Sequence, residues 1–390
     1  MKILFVLENT INNLEGGTEV SSFHLARLLH RNNIDVEEWA PYKKRMPIYF
    51  YTGVFSQIGI FLLLLWKCVK NRPQILHIQG KYLLPPAVLA GKLFRIPTVA
   101  TIRDYIVVCP IALCLFKGPA LLQQQGRALF DNHHDFLFFI KKEPPLFLSK
   151  YHPKDNRLKR IFKYILLIRG WFVSCWLKYW LKKSDAIISV SKTVKEILSQ
   201  NNIPSQVIYN SFDTSFLQSN KARPWQTKSG PLNTILFVGK PSYGKGYDIF
   251  QALSRMKEFK QYKFKAIGGS TKLGYEDTLK EIGQALTVIV PSRWPEPFGR
   301  VALEALMMGT PVVSSKCGGL TEIIDDGKTG ILSEPTVDHM SIALISIIKK
   351  NKRFRDEIKI RKEHLTKKFE LIPLKSHLNL YSALIAKINS

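Results

Sequence analysis

Short apolar runs alternate with amphipathic segments along most of the chain. Residues 3–7 (ILFVL) predict a buried strand, and residues 18–31 place apolar side chains at the spacing of one helix face. The alternation continues through the strand-like segments IDVEEWA, QILHI, PTVATI and DAIISV. Strands that read as continuous apolar runs between helices are typical of a parallel sheet covered on both faces. The pattern therefore predicts an α/β protein.

The alternation is interrupted at residues 218–233 (QSNKARPWQTKSGPLN), where Pro, Gly, Ser and Asn replace apolar residues. It restarts with TILFVG at residues 234–239, and a chain of 390 residues is long enough for two domains. We therefore interpret 218–233 as a linker. We expect two Rossmann-like doubly wound domains, residues 1–217 and 234–372, facing a central cleft. Residues 373–390 are expected to form a C-terminal helix that packs back on the first domain.

The charge balance narrows the class of partner. The chain has 57 Lys and Arg against 30 Asp and Glu, a formal net charge of +27 and a pI near 9.8. This excess favours anionic partners, such as phosphorylated ligands, an acidic membrane or nucleic acid. No recognised nucleic-acid-binding motif accompanies the charge, so no nucleic-acid partner is expected.

The cysteines and the N-terminal residues indicate a cytoplasmic protein. The five cysteines are an odd number and widely scattered, which favours a reducing compartment. The apolar start is five residues long and runs into Glu8, so no signal peptide is expected. Cys109, Cys114 and the pair His133-His134 fit no zinc-binding spacing, so no metal site is expected.

Two segments raise the question of a membrane. The apolar run Val54–Trp66 is shorter than the roughly 20 residues that span a bilayer, so it is predicted to be a buried helix. Residues 141–183 carry 12 Lys and Arg against Glu143 and Asp155, with aromatic residues between them. The wider region 136–183 is consistent with a surface that rests on an anionic membrane, or with a core helix that has a solvated basic face. The sequence leaves both interpretations open.

Two acids in this basic chain carry the candidate chemistry. Glu296 and Glu304 are separated by seven residues in EPFGRVALE. Prolines on both sides keep Glu296 out of a helix interior, and a helix is predicted to begin near Phe298 or Gly299. The N–H groups at the start of that helix form an anion site between the two carboxylates. A carboxylate can accept both hydroxyl protons of a diol, so the order matches a nucleotide sugar: sugar hydroxyls, diphosphate, ribose.

A glycine-rich loop supplies cations for the same ligand. Two carboxylates beside a diphosphate would repel it unless positive charge offsets them. Residues 239–246 (GKPSYGKG) lie between a predicted strand and a predicted helix and contain Lys240 and Lys245. We hypothesise that both lysines hold the diphosphate; the alternative is a glycine turn with solvated lysines. The loop is not a P-loop, because it lacks the GxxxxGK[ST] order.

Together these motifs resemble, nearly end to end, those of family 4 retaining glycosyltransferases of the GT-B type. The glutamate pair and the strand that leads into a lysine–glycine phosphate loop are the most specific of them. The segments that carry the resemblance are EGGTEVSSFHLARLL, SDAIISVSKTVKEIL, VIYNSFDTSFL, VGKPSYGKG, EPFGRVALE, EALMMGTPVVSS and GGLTEIIDDGKTGIL.

The resemblance implies that the second domain holds most of a nucleotide-activated sugar. Glu304 would bind the ribose hydroxyls and Glu296 the hydroxyls of the transferred sugar. Lys240 and Lys245 would stabilise the leaving diphosphate, where negative charge grows in the transition state. Transfer would retain the anomeric configuration and need no metal or other cofactor. The remaining implied donor contacts are main-chain N–H groups and a glycine loop: Phe298, Gly299, Arg300, Gly16 and Gly17.

The chain departs from the family pattern at three places. The family often has Thr-x-His-Asp where this chain has Thr101-Ile102-Arg103-Asp104. Arg103 cannot act as a neutral donor and acceptor as histidine does, but it could bind an acidic sugar or the phosphate. Lys240 replaces the usual arginine and loses its forked geometry. The segment between AIGGS and LTVIVPS, which in the family helps to seat the base, is short; UDP is expected only from its frequency in the family.

The expected function is that of a cytoplasmic retaining glycosyltransferase that uses a nucleotide-sugar donor. Its expected acceptor is a lipid-linked or surface-polysaccharide precursor at the inner face of the cell membrane. That expectation rests on the basic, aromatic region 136–183 and on family habit. One alternative is a GT-B hydrolase or epimerase of nucleotide sugars. Another is a catalytically silent subunit that binds a nucleotide sugar for a partner enzyme, which Arg103 and the short base-seating segment favour.

Overall fold

The computed structural model of the chain describes residues 1–9, 14, 16–42, 51–109, 156–219 and 232–389. These residues form two compact units. The first unit contains the described residues up to Ser211 together with the C-terminal segment from Ile372, and the second contains the described residues of Phe212–Leu371.

A six-stranded parallel sheet forms the centre of the first unit. Its strands are β1 Lys2–Val6, β2 Asp35–Trp39, β3 Ile75–Ile78, β4 Thr98–Ile102, β5 Ala186–Ser189 and β6 Gln206–Val207. They lie in the order β2-β1-β3-β4-β5-β6, and every neighbouring pair is parallel. On β1, which lies next to the edge strand β2, Ile3 lies between Val36 and Ile75. The inner strands β1, β3, β4 and β5 read as apolar runs because helices cover both faces of such a sheet.

Helices of the first unit pack on this sheet through their apolar faces. The helix Gly17–Arg31 places Leu25, Leu28 and Leu29 in a core with Phe5 of β1. The helices are Gly17–Arg31, Val54–Asn71, Leu84–Phe94, Arg157–Leu181, Lys192–Gln200 and Ile372–Asn389, with a 3₁₀ turn at Lys81–Leu83.

A five-stranded parallel sheet forms the centre of the second unit. Its strands are β7 Thr234–Val238, β8 Lys263–Ile267, β9 Thr287–Val290, β10 Val312–Ser315 and β11 Gly330–Ser333, in the order β11-β10-β9-β7-β8. The helices are Ser215–Ser219, Tyr247–Arg255, Tyr275–Gln284, Arg300–Met307, Leu320–Ile323, Val337–Lys349, Asn351–Ile360 and Lys362–Thr366, with a 3₁₀ turn at Lys257–Phe259 and a π-helical turn at Lys367–Leu371.

The strand order reverses once in each sheet. From β1 the chain runs to β2 on one side and later to β3 on the other, and from β7 it runs to β8 and then to β9. This doubly wound order confirms the predicted α/β fold class. Ligands of such sheets bind at the carboxyl ends of the strands where the order reverses. A ligand-binding site is therefore expected at that point in each unit.

The C-terminal helix Ile372–Asn389 is part of the first unit, and a buried polar network holds it there. The Nδ1 atom of His77 on β3 lies 2.6 Å from the hydroxyl of Tyr381, and its Nε2 atom lies 2.7 Å from the hydroxyl of Thr101. His377 Nδ1 lies 2.8 Å from the carbonyl oxygen of Pro373. Burial lowers the pKa of His77 well below its usual value and that of His377 to about 4. We call His77, Thr101, His377 and Tyr381 the histidine network.

The prediction of a buried helix at Val54–Trp66 is wrong. The helix Val54–Asn71 buries only Ile60, Leu64 and Cys68, a narrow stripe one residue wide at each turn. Most of its other apolar side chains, such as Phe55 and Trp66, are exposed because the neighbouring elements cover little beyond that stripe. Among the described residues it is also the single helix that is long and apolar enough to cross a membrane by length and composition.

Two sequence predictions fall partly on residues that are not described. Residues 220–231 of the predicted linker lie outside the described residues, so the linker remains a prediction. Residues 136–155 of the basic region also lie outside them. The rest of that region forms the helix Arg157–Leu181, whose exposed side carries apolar residues such as Leu158 and Phe162 rather than only cations.

Candidate functional site

Two loops leave the point where the strand order of the second unit reverses. Strands β7 and β9 are neighbours there, and residues 239–246 follow β7 while residues 291–299 follow β9. The carboxyl ends of parallel neighbours meet at one edge of a sheet, so the two loops meet as well. This meeting brings Lys245 and Glu296 together, although they are 51 residues apart in sequence.

Glu296 is a buried carboxylate held by three donors. The Nζ atom of Lys245 lies 2.6 Å from Glu296 Oε1 and 4.7 Å from the centre of the Trp294 ring. The hydroxyl of Ser292 donates to the same oxygen at 2.6 Å, and Trp294 Nε1 donates at 2.8 Å. The residue is 5% exposed. A charge buried this far needs such partners, so the ion pair and the two neutral donors explain how the loop keeps its carboxylate.

All three donors converge on one oxygen of Glu296. In the part of the chain that the structure describes, the second oxygen, Oε2, accepts no hydrogen bond. A carboxylate has acceptor capacity on both oxygens. The arrangement therefore fixes the position of Glu296 through Oε1 and leaves Oε2 with acceptor capacity for ligand hydroxyls.

Glycines shape the backbone around this pair. Gly246 has φ +68°, and a Cβ atom there would collide with the carbonyl oxygen of Pro291. Gly318 has φ +55°, and a Cβ atom there would collide with the backbone of Glu296. The N–H of Gly319 donates to the carbonyl oxygen of Glu296 at 2.7 Å. At Gly246 and at Gly318 the backbone therefore approaches a neighbouring backbone segment more closely than a residue with a Cβ atom would allow.

Glu304 is the second buried carboxylate of the site, and it is also 5% exposed. It lies on the helix Arg300–Met307, which begins after Gly299 as predicted. The Nε atom of Arg300 lies 2.8 Å from Glu304 Oε1, one helical turn away. The hydroxyl of Tyr275 donates to the Glu304 carboxylate and accepts a hydrogen bond from Arg300 at 3.1 Å. Arg300, predicted only through its main-chain N–H, thus contributes its side chain.

Burial shifts the pKa values of Glu304 and Tyr275 in this second cluster. Burial raises the pKa of Glu304, while the charge of Arg300 and the hydrogen bonds from Tyr275 and Arg300 oppose that shift. Burial and the neighbouring Glu304 raise the pKa of Tyr275, so its phenol stays protonated and donates. Tyr275 also stacks on Phe216 with ring centres 5.8 Å apart. Tyr275 could not be predicted from the sequence, because only the packing of two helices brings it to Glu304.

The remaining predicted donor residues of the second unit lie around these clusters. Lys240 is exposed and makes no ion pair or hydrogen bond with the described residues. Gly299 caps the helix Arg300–Met307 with φ +94°, a conformation that favours glycine. Phe298 is buried, with its ring 6.0 Å from that of Phe369. The structure therefore unites Lys245 with Glu296 but does not pair Lys240 with either carboxylate.

Three predicted residues lie in the first unit. Gly16 precedes the helix Gly17–Arg31 in an extended conformation, and Gly17 is the first helical residue. Arg103 follows β4, and its guanidinium donates to Gln79 and, at 3.0 Å, to Asn210. Arg103 is thus held in place by neutral partners at the carboxyl end of the sheet.

The point where the strand order of the first unit reverses also carries charged residues, whose proximity was not predicted from the sequence. Lys81, after β3, forms an ion pair with Asp104, after β4. Glu8, after β1, accepts a hydrogen bond from the N–H of Tyr82 at 2.9 Å, and burial raises the pKa of Glu8. Asp104 also accepts from the N–H of Ile106, as a turn residue would. A polar cluster therefore exists at the corresponding edge of each sheet.

No metal cluster is found among the described residues, and the cysteine nearest the site is buried. No group of three His, Cys, Asp or Glu there could hold a metal ion; Cys114, His133 and His134 lie outside the described residues. Cys317 is buried beneath the Glu296 loop, and burial raises the pKa of its thiol to about 12. Its thiol donates to the carbonyl oxygens of Ser292 at 3.4 Å and Trp294 at 3.2 Å, so it packs on the backbone of that loop.

Comparison with known proteins identifies the family. The model of Glycosyltransferase Family 4 matches residues 15–216, and that of Glycosyl transferases group 1 matches residues 270–364. An uncharacterised 41.2 kDa protein in the cps region of Klebsiella pneumoniae is 28% identical over 230 residues, which cover 51% of this chain and 63% of that protein. The chain spans between 48% and 63% of the length of the curated relatives that it matches first.

Solved structures show the same architecture. Sucrose-phosphate synthase from Thermosynechococcus elongatus superposes with a TM-score of 0.65 at 14% identity, over 99% of this chain and 100% of that one. Anabaena HepE in complex with UDP-glucose superposes with a TM-score of 0.58 at 15% identity, over 98% and 99% of the two chains. The Family 4 model covers more than half of the sequence, so the chain belongs to Glycosyltransferase Family 4, as its motifs predicted, and has the GT-B fold.

Proposed function

We propose that the protein transfers a sugar from a nucleotide-sugar donor to an acceptor hydroxyl with retention of the anomeric configuration. The observation that carries this proposal is the pair of buried carboxylate clusters at the edge of the second sheet. Glu296 pairs with Lys245 through Oε1 and keeps Oε2 for a ligand. Glu304 lies on the helix that follows this loop and pairs with Arg300. Family membership supports the reaction class.

Glu304 would bind the ribose of the donor. Its carboxylate is fixed by Arg300 and Tyr275, so it enters the complex already oriented. A preorganised acceptor loses little conformational freedom when it binds two hydroxyls. Arg300 and Tyr275 act in this proposal as positioning residues for Glu304.

Glu296 would bind hydroxyls of the transferred sugar through Oε2. The main-chain N–H groups of Phe298, Gly299 and Arg300 would support the sugar or the phosphate at the start of the helix. Lys245, fixed between Glu296 and the Trp294 ring, and the exposed Lys240 would supply positive charge to the diphosphate. Lys245 would thus have two anionic partners: the carboxylate of Glu296 at all times, and the diphosphate of the donor when the donor is bound.

The proposed reaction needs no nucleophile from the protein. The bond between the anomeric carbon and the diphosphate oxygen breaks, and the acceptor oxygen bonds to that carbon on the same face. The electron pair stays on the departing diphosphate, which also takes the acceptor proton. Stabilisation of that growing charge by Lys240 and Lys245 is the main contribution assigned to side chains.

The donor nucleotide is proposed to be UDP, and the acceptor a lipid-linked or surface-polysaccharide precursor in the cytoplasm. The UDP-glucose complex of Anabaena HepE supports the choice of nucleotide. The odd number and wide scatter of the five cysteines support a reducing compartment. From the first unit, Gly16 and Gly17 would approach the phosphate or the acceptor, and Arg103 would bind an anionic group of the sugar or phosphate.

A panel assay tests the proposal. The purified chain is incubated with UDP-, GDP- and ADP-sugars, with and without detergent-solubilised lipid-linked acceptors, and nucleotide release and product mass are measured. Acceptor-dependent release of UDP with an α-linked product from an α-linked donor is expected. Release without an acceptor would instead indicate a hydrolase, and isomerised donor an epimerase. Binding of a donor without any release would indicate a catalytically silent subunit.

A further inference from the structure

Three neighbouring helices of the first unit form one continuous surface. The helix Leu84–Phe94 packs against Val54–Asn71 on one side and Arg157–Leu181 on the other. We call these three helices the three-helix face. It lies outside the sites described above, and its properties do not depend on the proposed function.

The three-helix face exposes an unusual amount of apolar side chain. Phe55 is 91% exposed and Trp66 is 60% exposed. Isolated exposed apolar residues are normal, but a continuous patch marks a binding surface. The large apolar side chains exposed on the three helices are Val54, Phe55, Ile58, Leu62, Leu63, Trp66, Val69, Leu89, Leu93, Phe94, Leu158, Ile161, Phe162, Ile165, Leu166, Phe172 and Tyr179.

A groove runs between the helices of this face. It has a volume of about 490 Å³ and is lined by all three helices, mostly with apolar and aromatic side chains. Its lining includes Ile58, Phe61, Leu89, Phe172 and Trp176. The groove therefore offers a cavity to a hydrocarbon chain rather than to a polar ligand.

The charges on the face have one sign. The three helices contain nine Lys and Arg residues and no Asp or Glu. The exposed cations lie at the helix ends, whereas Lys163 and Arg169, nearer the middle, are half-buried. The exposed cations are Lys70, Arg72, Lys92, Arg95, Arg157, Lys159, Lys182 and Lys183. An apolar centre with basic ends matches the interface of a bilayer that carries anionic headgroups.

We propose that the three-helix face docks the protein on the surface of an anionic phospholipid bilayer. The exposed apolar side chains enter the boundary between headgroups and acyl chains, and the groove receives hydrocarbon from the outer part of the leaflet. The cations at the helix ends pair with lipid phosphates. Aromatic residues such as Trp66 and Tyr179 suit this boundary because they combine an apolar ring with a polar group.

The helix Val54–Asn71 lies along the bilayer in this proposal and does not cross it. Its two ends lead to β2 and β3, which flank β1 in the same sheet. Its buried stripe of Ile60, Leu64 and Cys68 packs on the protein. Insertion across the membrane would pull this stripe and the edge of the sheet into lipid.

A second copy of the chain would fit the three-helix face less well than an anionic bilayer. Two such faces in contact would bring the exposed cations of one copy against those of the other. Like charges at an interface oppose association, whereas anionic lipid complements them. Charge complementarity therefore selects the bilayer.

Vesicle sedimentation tests the proposal with the full chain. The protein is mixed with vesicles of phosphatidylcholine alone or of phosphatidylcholine with phosphatidylglycerol, at low and high salt. Binding to the anionic vesicles is expected to be at least about tenfold tighter than to the neutral ones and to weaken as salt screens the lipid phosphates. Equal binding to both vesicles, or binding to neither, would overturn the proposal.

Apolar variants test which surface makes the contact. Phe55→Gln with Trp66→Gln should weaken binding to the anionic vesicles by at least about tenfold, because the area that enters the boundary is lost. The matched control is Ile342→Gln with Ile360→Gln, which removes side chains that are 66% and 75% exposed on the second unit. Equal binding by both double variants would contradict the assignment of the face.

Charge variants provide a second, independent readout. Arg157→Gln with Lys159→Gln removes two exposed cations from the start of a helix, where cations do not favour folding. Binding to anionic vesicles should fall roughly 10- to 30-fold, from the loss of two cations near the surface. Lys257→Gln with Lys260→Gln, exposed on the second unit, should leave it unchanged.

Sedimentation velocity of the same variants separates a lipid surface from a second copy. A monomer with lipid-dependent behaviour is expected. A dimer that Phe55→Gln with Trp66→Gln dissociates would assign the face to self-association and overturn the proposal. Nucleotide release with a soluble acceptor should be unchanged in these variants, so failure of membrane docking can be told apart from failure of the proposed transfer.

Discussion

Two buried polar clusters, one in each unit, are built in different ways. In the second unit Glu296 and Glu304 are buried carboxylates whose partners are cations, and Glu296 keeps one oxygen without a donor among the described residues. In the first unit the histidine network is uncharged, and both ring nitrogens of His77 have partners. A buried charge with residual acceptor capacity is costly and points to a ligand, whereas a neutral, satisfied network points to structure. We therefore assign function to the first kind of cluster and stability to the second.

The largest expected effect is on Glu296. Glu296→Gln keeps the shape of the side chain but removes its charge, so the transfer rate should fall by about 10²–10³ if Glu296 and Lys245 act together on the donor. Nucleotide affinity and melting temperature should change little. Single-turnover kinetics with the best donor of the panel measures the step. Glu258→Gln, an exposed residue of the same unit, is the control, and equal rates in both variants would remove Glu296 from the site.

The histidine network should make the folded protein sensitive to acid. Burial, followed by the charge of Arg103, lowers the pKa of His377 from 6.5 to about 4, while the hydrogen bond to Pro373 opposes that shift. The unfolded chain therefore binds the proton more readily, and stability falls as the pH drops from about 6.5 to about 4. A shift of this size corresponds to roughly 3 kcal/mol. Thermal melting across this pH range is the measurement.

The matched pair for that experiment is His377→Gln and His364→Gln. His377→Gln removes one of the two buried histidines and should reduce the acid dependence of the melting temperature, while His77, whose pKa burial also lowers, still contributes. His364 is exposed on the second unit, so its replacement should leave the dependence intact. An unchanged slope in His377→Gln would show that His377 is protonated in the folded chain.

A smaller effect is expected from Tyr381→Phe. This variant removes the hydroxyl that His77 Nδ1 meets at 2.6 Å and should lower the free energy of unfolding by about 1–2 kcal/mol. Denaturant unfolding and nucleotide titration are measured together. Nucleotide affinity should stay constant, because the network is assigned to stability alone. Tyr179→Phe, at an exposed position, controls for loss of a hydroxyl; weaker nucleotide binding by Tyr381→Phe would break the distinction between the two clusters.

Much of the fold was predictable because both sheets are parallel and buried. Most strands, such as β1 and β3, appear in the sequence as apolar runs, and the helices appear through their periodicity. The helix Val54–Asn71 shows the limit of that reasoning. Its apolar composition is local, but the area that its neighbours cover depends on the tertiary structure, so the prediction that it is buried was wrong.

The site was predictable where its residues lie near each other in sequence. The spacing of Glu296 and Glu304 and the loop that carries Lys245 could be read directly. The Arg300–Glu304 ion pair was also accessible, since residues four apart share a helix face. Tyr275 and the Glu8, Lys81 and Asp104 cluster were not, because strand order and helix packing bring them into place.

Nucleotide binding to Glu304 tests the central claim most directly. Calorimetric titration of UDP and of the preferred nucleotide sugar is carried out on the wild-type chain, Glu304→Gln and the control Glu258→Gln. Loss of a hydrogen-bonded charge should weaken binding by about 10- to 100-fold in Glu304→Gln and leave the control unchanged. Equal affinity in all three proteins would contradict the assignment of the buried carboxylates of the second unit to a nucleotide sugar.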